Sequence, residues 1–196
     1  GHSSLALFII EAALEIRPGR KPRAALLHPI PRSKLDAHDF AEVLGRSIPL
    51  LVSSDAPHLV SWLVTLVRRS VRLSRLAKES GPQDYSHIWL QSLEDPVANA
   101  GDIRESAALA LALSAVERAN RPGVGLASTL RELRRGPTNV FRRIELHVVA
   151  HSLDVPLSMA RLLILSKRLF ASDWTRTEYD GVLRAHFGRL TREDQR

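Results

Sequence analysis

The sequence predicts an all-α protein, an array of roughly seven to nine helices packed as an α-solenoid-like stack or an irregular bundle. Three observations carry that prediction. Apolar residues recur at helical spacing along most of the chain, capping residues stand ahead of those runs, and Pro/Gly pairs separate them, as at Gly81-Pro82, Pro122-Gly123 and Gly136-Pro137. With 196 residues and 44% hydrophobic content the chain can bury a core, so residues 1–196 are expected to form one domain.

Composition removes several classes of function. There is no cysteine, hence no disulfide framework, no thiolate metal site and no thiol nucleophile. The formal charge of +7 comes mostly from arginine. Arginine binds carboxylates and phosphates bidentately and also packs its stem on apolar surface, so the charge fits both ion-paired helix faces and nucleic acid. The apolar run from Leu5 to Ile16 is interrupted by Glu11 and Glu15 and is too short to span a bilayer. No basic region precedes it as in a signal peptide, so a cytoplasmic setting and no membrane partner are expected. Gly1-His2, without an initiator Met, reads as a cloning remnant.

Element by element, Ser3 or Ser4 can cap a first helix through about Ile16, ended by Pro18-Gly19. Residues 17–35 hold six Lys/Arg, no acid before Asp36 and four prolines, which predicts a basic linker and a first candidate phosphate site. Asp36 should cap a helix with Phe40, Val43 and Leu44 that ends or bends before Pro49, and Leu50 to Val52 reads as a helix end or a buried strand, with the helix favoured. Asp55, with Pro57 in the first turn, starts a long helix with Leu59, Leu63, Leu66 and Val67 inward. Its other face carries Arg68, Arg72 and Arg75, the best basic stripe in the chain.

After Gly81-Pro82, Tyr85, Ile88, Trp89 and Leu93 predict the apolar face of a short helix closed by Pro96, with Trp89 a core anchor. Asp102 and Glu105 form a capping-box pattern ahead of AALALALSAVERA, whose apolar residues surround the cylinder and mark it as central. A helix over 125–135 should place Leu126, Leu130 and Leu133 inward and Arg131, Arg134 and Arg135 outward. Gly136-Pro137 then opens the helix carrying Phe141, Arg142 and Arg143. Pro156 opens a helix with Leu157, Leu162, Leu165 and Leu169 as expected core residues, and Asp173 or Thr175 begins one with Tyr179, Val182, Leu183 and Phe187. Thr191 and Asp194 look like a further helix start. With the remnant at the other end, this suggests a piece of a longer chain.

No complete catalytic pattern is present. The G-x-S-x-G elbow and the phosphate-cradling G-x-x-x-x-G-K-[ST] loop are absent, and Gly123-x-Gly125 follows a helix rather than a strand. Glu94-Asp95 and Glu178/Asp180 are acidic pairs without a partner to separate their pKa values, which favours capping or surface roles. His147-x-x-x-His151 puts two imidazoles on one helical face, a zinc-helix spacing, yet Val148 stands where a metallopeptidase needs Glu and no nearby pattern supplies a third ligand. The expectation is therefore no cofactor and no metal, with His147 and His151 as the weak candidates.

Four pieces, in order, resemble the C-terminal helical arms of large bacterial STAND-class signal-transducing NTPases, antiviral sensors among them. They are Trp89-Leu90-Gln91-Ser92-Leu93-Glu94-Asp95, Asp102 with Arg104 opening a long helix, Phe141-Arg142-Arg143-Ile144-Glu145-Leu146-His147, and Glu178-Tyr179 leading into Leu183 and Phe187. The resemblance implies a helical segment for protein recognition or scaffolding beside an NTPase module, with a protein partner or a second copy of the same chain. The nucleotide-binding motif of that family has no counterpart in these residues. The functional expectation is thus a non-enzymatic recognition segment with no small-molecule substrate. The alternative is a nucleic-acid-binding helical module using Arg68, Arg72, Arg75, Arg131, Arg134, Arg135, Arg142 and Arg143.

Overall fold

A computed structural model describes residues 2–19, 28–53, 58–75, 81–94, 101–123 and 125–195. The expected helix start at Asp55 and Pro57, the closure at Pro96 and the middle of the basic 17–35 stretch lie outside the described residues. The fold is all-α, with ten α-helices among those residues and one two-stranded antiparallel pair. The helices are α1 (His2–Ala13), α2 (Ala37–Ser53), α3 (Leu59–Ser74), α4 (Ser86–Trp89), α5 (Ile103–Ala119), α6 (Gly125–Leu133), α7 (Asn139–His151), α8 (Leu157–Ile164), α9 (Lys167–Phe170) and α10 (Arg176–His186).

The centre is α5. It packs against α2, α3, α6 and α7, and α7 in turn carries α10. A solenoid repeat touches only its neighbours in sequence, so this hub arrangement is the irregular-bundle form of the expected array. Ala107, Ala108, Ala112 and Ala115 of α5 are at most 1% exposed. Side chains that small let four helices approach one axis. Gly181 does the same for α10, where an added Cβ would lie 3.5 Å from that of Ala150 on α7.

Several boundaries differ from the sequence reading, each for a local reason. The first helix stops at Ala13, and Ile16–Arg17 (β1) pairs with Arg32–Ser33 (β2). Arg17 precedes Pro18, which pushes it to extended backbone, and β-branched Ile16 suits a strand. The basic stretch is therefore pinned at both ends rather than a free linker. Helix α2 runs through Pro49 instead of ending before it, because Ile48 and Leu51 on either side are buried in the core. The 85–93 segment forms only one helical turn, entered through Tyr85 in a left-handed conformation (φ 53°). As a result Ile88 points to solvent while Trp89, Leu90 and Leu93 are buried.

The 156–170 segment also departs from expectation. It is two helices, α8 and α9, and of Leu157, Leu162, Leu165 and Leu169 only Leu169 is buried. Ala160, Leu163 and Ile164 face the core instead. The run is apolar on both sides, so periodicity alone does not say which stripe turns inward. Of the residues named for the last helix, Tyr179 and Val182 are buried while Phe187 is 41% exposed. Trp89, by contrast, is the anchor expected, its indole N–H donating to the Asp84 carbonyl at 2.9 Å.

Candidate functional site

The eight arginines of the expected basic surface separate into three groups. Arg143 is not on the surface. It is buried on α7, where its guanidinium donates to Glu178 Oε1 (2.7 and 3.0 Å), to Ser86 O (3.0 Å) and to Leu90 O (2.7 Å). Its place on the helix carrying buried Phe141 and Ile144 explains the correction: on a helix, residues one and two positions away from an inward stripe can still face a neighbouring element. Here that element is α10 with the α4 turn.

A second group is half-buried or exposed, with each guanidinium already engaged by a carboxylate or a carbonyl. Arg134 and Arg142 converge on Glu145, at 2.7 and 2.5 Å, and Arg135 pairs with Glu132 at 2.8 Å. Arg75 donates to the Gly81 and Gln83 carbonyls at 2.7 and 2.9 Å, so it ties the end of α3 to the segment that leads into α4. Arg104, on α5, chelates Asp102 and lies 5.1 Å over the Trp89 ring.

The third group keeps its charge open. Arg68 and Arg72 on α3 are exposed and form no ion pair among the described residues. With Arg69, Thr65, Arg75 and the Pro137-Thr138 turn they line an open cleft of about 500 Å³ that has no acidic residue in its lining among the described residues. Ser70 and Ser74 on the same helix are buried and bond to backbone carbonyls of α3. Arg131 is also exposed, on α6.

Asp102 caps α5 as expected, with a different partner. Its carboxylate accepts the Arg104 N–H at 2.8 Å rather than the amide of the third helical residue. Glu105 is buried beside it, and burial followed by the Asp102 charge pushes the Glu105 carboxyl up to about 7. Helix α7 is capped across the fold: Val140 N–H donates to Asp84 Oδ2 at 2.6 Å, while Thr138 at the cap position makes no side-chain cap bond.

A second cleft, of about 480 Å³, lies between α2, α5 and α7 and is lined mainly by apolar side chains, among them Leu44, Ile48 and Leu113. His147 and His151 open onto it, with ring centroids 4.2 Å apart. Burial, and then the neighbouring His151, hold His147 down at about 4. The His151 Nδ1 lies 2.9 Å from the His147 carbonyl. Glu94, from the segment after α4, completes a cluster in which one ligand atom of each residue lies within 4.8 Å of the others. Sequence reasoning missed both Glu94 as a companion of the histidines and Arg69 as part of the basic cleft. Glu94 had no spacing signal, since it meets the histidines through tertiary packing, whereas Arg69 stands beside Arg68 and one turn before Arg72 on α3 and was legible from that spacing.

No protein-family model, no curated protein and no solved structure matches this chain.

Proposed function

We propose that the chain is a non-enzymatic helical recognition or scaffolding segment of a larger intracellular protein, and that its partner is another protein surface. The observation that carries this reading is an apolar stripe on α1. Leu5, Phe8 and Ile9 are spaced three and four apart, hence on one face, and are 60%, 66% and 58% exposed. A stripe of that spacing is what a helix presents to a second helix or an apolar groove, and exposed apolar faces mark interaction sites. Leu162 on α8 and Phe170 on α9 are more exposed still. The proposed setting, the C-terminal arm of a STAND-class NTPase, rests on the sequence resemblance alone.

A photo-crosslinking residue at Phe8, introduced into the full-length protein in its own cells, tests the reading. The expected result is one discrete protein adduct that disappears with Leu5→Glu or Ile9→Glu. Absence of a protein adduct at Phe8 would sink it.

The open arginine cleft on α3 favours a second reading, nucleic-acid binding through phosphate contacts. Anisotropy titration with single- and double-stranded oligonucleotides at low salt should then give binding that weakens steeply with added salt, because counterion release drives it. The double variant Arg68→Glu/Arg72→Glu should abolish it. A flat titration removes this reading.

A further inference from the structure

Glu94, His147 and His151 meet at the mouth of the apolar cleft between α2, α5 and α7. Two imidazole nitrogens and one carboxylate oxygen form a donor set suited to a divalent transition metal, and His₂-carboxylate sites with an open fourth position are a common zinc arrangement. The histidines stand one helical turn apart on α7, so the helix itself fixes their relative placement.

Bonds of about 2.0–2.1 Å to a tetrahedral ion bring ligand atoms to roughly 3.4 Å from one another. The three donors, now within 4.8 Å, must close by on the order of 1 Å. Glu94 can supply that movement. It lies outside any helix, its side chain is 45% exposed, and its ion-pair partner among the described residues is the exposed Arg184 at 3.9 Å, a long and displaceable contact. The orientation of His151 is already suitable. Donation of its Nδ1–H to the His147 carbonyl, 2.9 Å away, leaves the Nε2 lone pair free, and metal-bound histidines are held in this manner by a bond from the other ring nitrogen.

We propose that Glu94, His147 and His151 bind one divalent transition metal ion of the zinc type, leaving a coordination position directed at the apolar cleft. The cleft wall beyond it is built from Leu44, Ile48, Leu109 and Leu113. A ligand seated there would join a metal-binding head, such as a carboxylate or imidazole, to an apolar body. The site is separate from the α1 stripe and from the α3 arginines, so it stands or falls independently of the recognition reading.

The test uses the whole chain, stripped with a chelator and titrated calorimetrically with Zn²⁺, then with Co²⁺ under visible absorption. The expected result is one saturable site per chain with micromolar or tighter affinity, and the intense visible bands of four-coordinate Co²⁺. His151→Ala and Glu94→Gln should each weaken Zn²⁺ binding by about tenfold or more, since even an outer partner of a metal ligand costs 10–100-fold. His38→Ala, at an exposed position on α2 that is not part of the cleft lining, should leave it unchanged. Both test residues are exposed, so folding survives their replacement, which circular dichroism verifies. Lack of saturable binding overturns the proposal, as does affinity untouched by His151→Ala. Loss with His151→Ala but not with Glu94→Gln overturns the three-donor site as well, leaving adventitious histidine binding.

Discussion

The Arg143 guanidinium is enclosed with the Glu178 carboxylate and two backbone carbonyls, so neither charge can be deleted without stranding the other away from water. Removing one partner of a buried pair costs about 3–5 kcal/mol, whereas replacing both with apolar residues is often close to neutral. Urea unfolding should therefore show Arg143→Ala destabilised by that amount, and Arg143→Leu/Glu178→Leu destabilised by less than the sum of its single variants. Glu105 gives a pH signature at the same scale. Its folded pKa of about 7 lies above the ordinary value of 4.5, raised by burial and by Asp102 against the opposing Arg104 charge and the Gln91 backbone amide. A group with a raised folded pKa contributes stability below its unfolded pKa, and that contribution is lost as pH rises through the folded value. Stability should thus fall between about pH 4.5 and 7 by on the order of 3 kcal/mol. In Glu105→Gln, which stays neutral, unfolding curves at the two pH values should differ by correspondingly less.

At the scale of elements, α2 holds a proline in its interior. Pro49 supplies no N–H to the Gly45 carbonyl one turn back, and its ring crowds that carbonyl; interior proline costs a helix about 3 kcal/mol. The helix persists because Phe40, Leu44, Ile48 and Leu51 bury one continuous stripe against the rest of the bundle. Pro49→Ala restores the donor, so it should raise unfolding stability by about 1–3 kcal/mol, read by denaturant titration. An unchanged or lowered midpoint would show that the helix is built around the proline. The same element shows the limit of a local rule: Asp36 was legible as its cap, and its carboxylate does accept the Asp39 N–H at 2.8 Å, but the far end was decided by burial. Helix α8 shows the limit of periodicity. Leu162 and Leu163 are adjacent and equally apolar, and only packing against α10 turns Leu163 inward.

For the whole molecule, the buried apolar residues form one cluster with the alanine face of α5 at its centre. Enlarging that face strains four interfaces at once. Ala115→Leu should cost about 1–3 kcal/mol by overpacking, and it should move a single unfolding transition rather than split it. Two resolved transitions would contradict one shared core. The sequence by itself determined the helical class, the central place of α5, the caps at Asp36 and Asp102 and the outward Arg68 and Arg72, because each is set by neighbours within about one turn of helix. Only the tertiary structure decided that Arg143 is buried against Glu178, that Asp84 caps α7, and that Glu94 reaches His147 and His151. Those meetings join distant parts of the chain, and the energy that selects them comes from packing that no local pattern records.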